Sequence, residues 1–294
     1  MNQKIDNHKK LNIYLNQIKN EFPEITWKNA KIIIEGCDND VIILDSKLVF
    51  RFPKKPDTAN KLKNEIKLLQ SIKKNITLEI PKIEFISKKQ DFIGYKLVQG
   101  ACIIPEKVLT NFSKKEINNL KKMLAQFLIE LHSTEKNALI KYAKNKTNIN
   151  EHNIFKNDIE KLLFPILSNK DIKIINNFLI DYKNILSTKI NKTIIHGDLS
   201  YENLLFKKNM LNGIIDFSDF DYSDPAIDLS PLWDFGDKFV KSICKSYDKN
   251  NFKDIILRSE IYYKKVAISL MIESQKGERF KFKDSYKMFL QRFN

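Results

Sequence analysis

Glycine and cysteine are both scarce in this chain, and there is no long apolar run: seven glycines and three cysteines occur among 294 residues. Cys37, Cys102 and Cys244 are isolated, odd in number and without a CxxC pair. That excludes a disulfide framework and fits a reducing compartment. No stretch approaches the roughly 18 apolar residues of a membrane span, and the start "MNQKIDNHKK" lacks an apolar signal core. A cytoplasmic protein with no membrane partner is expected. His8, His132, His152 and His196 stand far apart without a second ligand at helical spacing, which argues against a zinc site.

The formal charge of +15 raises the question of a polyanionic partner. An arginine-rich arm, interleaved aromatic and basic residues, and zinc-finger spacing are all missing. The lysines lie on solvated faces such as "KLKNEIKLLQSIKK", so nucleic acid is not expected as a partner and a monomer is. Lys, Asn and Ile are abundant in every segment, a bias of the whole chain that says little about function. At 43% hydrophobic residues the chain can build a sizeable core in one large domain or two modest ones.

The first hundred residues read as a small strand-rich unit. "KIIIEG" (31 to 36) and "VIILDSKLVFRF" (41 to 52) are β-branched runs, the second broken by Asp45 and Ser46 in a hairpin turn, so three strands are expected before residue 53. Residues 58 to 74 read as a helix with Leu62, Ile66 and Leu69 on one stripe. "PKIEFIS" and "FIGYKLVQG" (92 to 100) form a further extended pair. Past Gly100 the chain turns helical, most clearly over 114 to 133, where Leu120, Met123, Leu124, Phe127, Leu128 and Leu131 keep the spacing of a core-facing helix. Two more helices are expected over 153 to 190. Short strands then interrupt at "TIIHG", "NLLF" and "LNGIIDF", and helices resume from Asp228.

The stretch "IIHGDLSYENLLF" sets polar residues between two strand-like runs. Gly197, Asp198, Ser200 and Asn203 all favour turns, so a plain turn is one reading. The other is a catalytic loop: His196, Asp198 and Asn203 form H-x-D-x-x-x-x-N, followed by Asp216 in "GIIDFSD". Phosphoryl transfer needs one carboxylate to orient a hydroxyl, plus a carboxylate and an amide oxygen to hold magnesium against nucleotide phosphates. Asp198, Asp216 and Asn203 could supply those parts. Glu65 lies on the apolar stripe of its helix, where an unpaired carboxylate would be costly, which implies a buried partner; Arg51 is the natural one.

"HGDLSYEN", "IIDFSD" and "DPAIDL", in this order and spacing, resemble the aminoglycoside phosphotransferase family of the protein-kinase-like fold, most of all its 2''-phosphotransferases, and "FLIELHS" upstream resembles the helix that opens that family's larger lobe. The resemblance implies an α+β, two-lobed fold. A small antiparallel sheet with one main helix (1–98, nucleotide-binding) would precede a larger, mainly helical lobe with embedded hairpins (99–294), with a hinge about residues 96–100. It implies transfer of the γ-phosphate of ATP or GTP, with Mg²⁺, to a hydroxyl of an aminoglycoside, at the 2'' position, and hence antibiotic resistance. The same fold with a macrolide, choline, amino acid or sugar as acceptor remains open, as does a non-catalytic basic binding protein. By this resemblance Asp198 is the catalytic base, Asn203 and Asp216 bind metal, His196 is structural and Asp228 is a buried acid bracing the loop. Arg51 and Glu65 clamp the nucleotide phosphates, Gly36 lies in the covering loop "EGCDNDV", where Asn39 and Asp40 would take the tight turn, and the base meets the backbone at Lys96 to Val98. Arg51 stands where protein kinases have lysine, with Lys54 and Lys55 close behind, and Ser218 replaces a usual glycine. A polyamine acceptor needs carboxylates, for which Asp219, Asp234, Asp237 and Glu273 are the candidates.

Overall fold

In the computed structural model, which describes residues 2–34, 36, 38–143, 149–277 and 281–293, the chain runs α1 (Asn2–Glu21), β1 (Ala30–Ile33), β2 (Asn39–Leu44), β3 (Leu48–Pro53), α2 (Pro56–Ile72), β4 (Ile83–Ile86), β5 (Ile93–Lys96) and α3 (Pro105–Asn111). It continues with α4 (Lys114–His132), α5 (Ile149–Leu162), α6 (Asn169–Ser187), β6 (Thr193–Ile195), β7 (Leu204–Lys207), β8 (Met210–Ile214) and β9 (Asp221–Ser223). Four helices close the chain: α7 (Ala226–Leu229), α8 (Asp237–Tyr247), α9 (Phe252–Gln275) and α10 (Phe282–Phe293). These fall into two compact units, residues 1–102 with 203–219, and residues 103–202 with 220–294. Cys37 lies outside the described residues.

The first unit is built on an antiparallel sheet in the order β1-β2-β3-β5-β4. The β2–β3 hairpin connects Leu44 to Leu48 through Asp45, Ser46 and Lys47, with Asp45 and Ser46 both at positive φ (48° and 52°) and Lys47 N donating to Leu44 O at 2.9 Å. The Asp45 carboxylate accepts hydrogen bonds from the Lys28 and Asn29 amides, fixing the turn from outside. Because side chains alternate along a strand, Phe50 and Phe52 of β3 join a core with Ile18, Ile42, Leu44 and Phe92, while Val49 joins Leu62 and Ile66 of α2 on the other face. Arg51 shares the α2 side with Val49. The sheet thus lies between α1 and α2.

Helix α1 corrects the expectation of one main helix in this unit. Leu11, Tyr14, Leu15 and Ile18 follow the i, i+3, i+4, i+7 rhythm and pack on the sheet, a signal diluted by the Lys and Asn around it. The β7–β8 hairpin belongs to this unit as well. Glu79 donates its amide to Asn212 O at 3.1 Å and accepts from Ile214 N at 2.9 Å, and Ala101 exchanges amide and carbonyl bonds with Phe206. A Cβ on Gly213 would sit 2.5 Å from Val98 Cγ1 and 2.6 Å from Glu79 O, so only glycine admits this approach.

The second unit is helical. Helix α4 opens with a capping box in which Ser113 and Glu116 satisfy each other's backbone amides, and buries Leu120, Leu124, Phe127, Leu128 and Leu131. It packs on α8, and α9 packs on α8 and α10. Strand β6 pairs with β9, a partner the sequence reading did not anticipate, and sets the residues that follow it at the edge of this two-stranded ladder. No helix among the described residues is long and apolar enough to cross a membrane.

Candidate active site

In the first unit, Arg51 Nη1 donates to Glu65 Oε1 at 2.7 Å, and both side chains are buried. The expected pairing is present, and Arg51 does more: its Nη2 donates to Asp216 Oδ1 at 3.1 Å. The Phe217 amide donates to Glu65 Oε1 at 3.1 Å, so one carboxylate oxygen ties α2 to both β3 and the segment after β8. Burial works against charge on Arg51, but the Glu65 and Asp216 carboxylates outweigh it and hold the guanidinium firmly protonated. Burial in turn lifts the Glu65 carboxyl, opposed by Arg51. Tyr95 completes the group; burial, reinforced by the two carboxylates, pushes its phenol to about 12. Tyr95 was not anticipated, and the cross-strand register of β5 with β3 is what brings it here.

Asp216 follows β8 at a positive φ of 63°, and its side chain is 44% exposed. Asn203, which is buried, accepts Ile215 N on its backbone oxygen at 3.1 Å, so Asn203 and Asp216 flank the two joined ends of the β7–β8 hairpin. A carboxylate and an amide oxygen on adjoining strand ends are hard donors of the kind magnesium takes. Among the described residues no group of three or more His, Cys, Asp or Glu could hold a metal ion.

The loop after β1 is organised differently from the expectation. Asn39 and Asp40 are not its turn residues; they begin β2 and are buried. Asp40 accepts from Tyr14 OH at 2.7 Å and pairs with Lys10 at 2.5 Å and Lys54 at 3.4 Å. Lys54 Nζ also donates to the carbonyls of Ile34 and Gly36. Lys54 thus ties the backbone of this glycine-poor loop at two of its carbonyls. Lys61, one turn before Glu65 on α2, reaches Asp38 at 2.7 Å and Asp219 at 3.0 Å. Past β5, Leu97 N donates to Lys47 O and Gln99 O accepts from Asn212. No backbone hydrogen bond among the described residues involves Val98, which lies between them. Lys96 is exposed and pairs with Glu84.

In the second unit, Asp228 is fully buried and organises the loop after β6. Its Oδ2 accepts from His196 N at 2.7 Å and its Oδ1 from Gly197 N at 2.8 Å. His132 Nε2 donates to Asp228 Oδ2 at 3.0 Å, and Tyr247 OH stands 2.8 Å from His132 Nδ1. Burial alone would raise the Asp228 carboxyl; the His132 hydrogen bond and charge, with His196, reverse this and hold it below the ordinary carboxylate range. Gly197 takes φ 85°, a turn that permits both amides to face one carboxylate. Asp198 N then donates to His196 Nδ1 at 3.2 Å, and Asp198 itself stands at an exposed position. Glu202 is exposed and accepts from Tyr201 OH at 3.4 Å.

The acidic candidates for acceptor binding carry resident cations. Asp237 pairs with Lys241 at 2.8 Å, Asp219 with Lys61, and Asp234 with Arg292 at 3.5 Å. Glu273 lies near the end of α9, where its carbonyl accepts from Lys276 N at 3.1 Å.

Solved structures with this chain path are kinase-like phosphotransferases. The GDP complex of aminoglycoside 2'-phosphotransferase-IIIa superposes with a TM-score of 0.85 at 23% identity, covering 96% of this chain and 98% of that one. A gentamicin complex of the aminoglycoside phosphotransferase APH(2")-IIa gives 0.74 at 24% identity, with 95% of each chain covered. A macrolide 2'-phosphotransferase from Brachybacterium faecium gives 0.69 at 13% identity, covering 96% of this chain and 98% of that one. At these identities the likeness establishes the kinase-like fold. Nothing among curated proteins matches the chain. Residues 29–254 match the model of the phosphotransferase enzyme family, and the chain belongs to that family.

Proposed function

We propose that this protein is a small-molecule kinase that transfers the γ-phosphate of ATP or GTP to a hydroxyl of an aminoglycoside, at the 2'' position, and so confers resistance. One observation carries the nucleotide half of this reading: the buried Arg51 joins Glu65 to Asp216. Arg51 is thereby fixed as a rigid two-pronged cation suited to phosphate oxygens. Asn203 and Asp216 would hold Mg²⁺, which supplies charge neutralisation on the phosphates. Val98 would offer its backbone to the nucleotide base beside Lys96, and Gly36 would let the loop fastened by Lys54 approach the phosphates. Asp198 would accept the acceptor's hydroxyl proton, its backbone set by Asp228 through His196 and Gly197. As such a kinase this protein would act in the cytoplasm, as a monomer.

The acceptor assignment rests on the relatives solved with kanamycin and gentamicin. A second reading, a macrolide or another acceptor with few charges, is favoured by the cations already paired with Asp219, Asp234 and Asp237. Nucleotide turnover measured by a coupled assay over kanamycin, gentamicin, a macrolide, choline and simple sugars separates the two. Turnover well above background with kanamycin or gentamicin supports the first reading, and turnover with only a macrolide establishes the second.

A further inference from the structure

Near the end of the chain, Arg292 of α10 lies against Tyr263 of α9, its guanidinium carbon 3.7 Å from the centre of the ring. Arg292 Nη1 donates to Tyr263 O at 2.6 Å, and Nη2 reaches Asp234 Oδ1 at 3.5 Å. The Tyr263 hydroxyl donates to the same Asp234 oxygen at 2.8 Å. Tyr263 also stacks with Trp233, whose indole Nε1 donates to Ser259 Oγ at 3.0 Å. The Arg292 side chain is 8% exposed, whereas Asp234 is 32% exposed. A carboxylate that faces solvent thus has its charge balanced from behind by a guanidinium held in place through stacking and a carbonyl.

From this we infer that Arg292 is a specificity-determining residue that competes with an acceptor's ammonium group for Asp234. The inference rests on the proposed reading of this protein as a kinase for a small hydroxyl acceptor, with Asp234 among the carboxylates expected to face that acceptor, and goes on to say what that carboxylate favours. An ammonium arriving at Asp234 meets a carboxylate already neutralised by Arg292 and hydrogen-bonded by Tyr263, so the site gains little from an additional positive charge. The half-buried Trp233 ring beside this group offers an apolar surface suited to a sugar or macrocycle ring. The expected preference is for acceptors with a hydroxylated ring and few cationic groups at this end. Discrimination of this kind works through a built-in unfavourable element and not through an added attraction.

The test is a double-mutant cycle on the full-length enzyme, with Arg292→Gln, Asp234→Asn and the double variant. Arg292→Gln is expected to lower the KM for kanamycin about tenfold with kcat unchanged, and to leave the KM for an uncharged sugar or macrolide acceptor unchanged. Asp234→Asn alone should change the kanamycin KM by less than about twofold, while adding it to Arg292→Gln should abolish the gain. Arg292→Lys, which keeps the charge, should retain the high KM, and melting curves establish that each variant is folded. An unchanged or raised kanamycin KM in folded Arg292→Gln overturns the inference. Should no variant phosphorylate any aminoglycoside, calorimetric titration with kanamycin decides: tighter binding to Arg292→Gln upholds the competition while sinking the aminoglycoside kinase reading, and equal or absent binding overturns the competition itself.

Discussion

The two units hold their chemistry in place by opposite means. In the first, a side-chain cation does the fastening: Arg51 joins two carboxylates from α2 and the segment after β8. In the second, a side-chain anion grips the main chain, as Asp228 collects the amides of His196 and Gly197. The difference lies in what a substitution removes. Changing Arg51 alters the charge offered to a phosphate, whereas changing Asp228 leaves the charge on Asp198 untouched and releases the backbone beneath it. The first centre should therefore fail in binding, and the second in the geometry of the chemical step.

The largest expected effect is from Asp198→Ala. It should lower kcat by 10²- to 10⁴-fold, the range for a lost general base, with the melting temperature unchanged because the position is exposed. Normal turnover by this variant would remove the assignment. Next comes Arg51→Ala, which strands the buried Glu65 carboxylate and should cost about 3 to 5 kcal/mol of stability, read from denaturant unfolding. Arg51→Lys sharpens the comparison, since one ammonium can hold Glu65 without the two-pronged reach to Asp216. A nucleotide KM raised about tenfold with kcat nearly preserved is the expected kinetic result, and a fall in kcat alone would contradict the division of labour. Asp228→Asn should lower kcat more than it raises the nucleotide KM and cost about 1 to 3 kcal/mol, because His132 and two amides lose their shared charge.

The smallest effect concerns pH. The Asp228 carboxyl is held below its ordinary value of 3.8, so its stabilisation is fully present above that value and is lost as pH falls through its lower folded-state value. Stability measured from pH 7 down to pH 4 should therefore lose nothing from this group, and the loss should begin below pH 3.8 and disappear in Asp228→Asn.

Much of this was legible in sequence where the cause is local. The α4 helix follows from its apolar spacing, the β2–β3 turn from Asp45 and Ser46, and the Arg51–Glu65 pair from an acid placed on an apolar stripe. Other features depend on residues brought together from far apart. Asp216 meets Arg51 across 165 positions, and Arg292 meets Asp234 across 58, so no short window displays either contact. Asn39 and Asp40 were misassigned to a turn because their turn preference is a local signal, overridden by the buried partners that Lys10, Tyr14 and Lys54 supply to Asp40. Helix α1 went unread although its four apolar positions were visible, since the lysines and asparagines between them lower the contrast on which periodicity depends.

The β7–β8 hairpin has a consequence for the order in which the protein can be made. Its backbone bonds to Glu79 and Ala101 belong to the first unit, yet residues 203–219 are synthesised a hundred residues after that unit's sheet. A nascent chain that has released only the first 102 residues lacks Asn212, Gly213 and Ile214 to pair with Glu79, and lacks Asp216 to meet Arg51. Arg51, Glu79 and Ala101 must wait on the ribosome for these partners until about three-quarters of the protein has been translated.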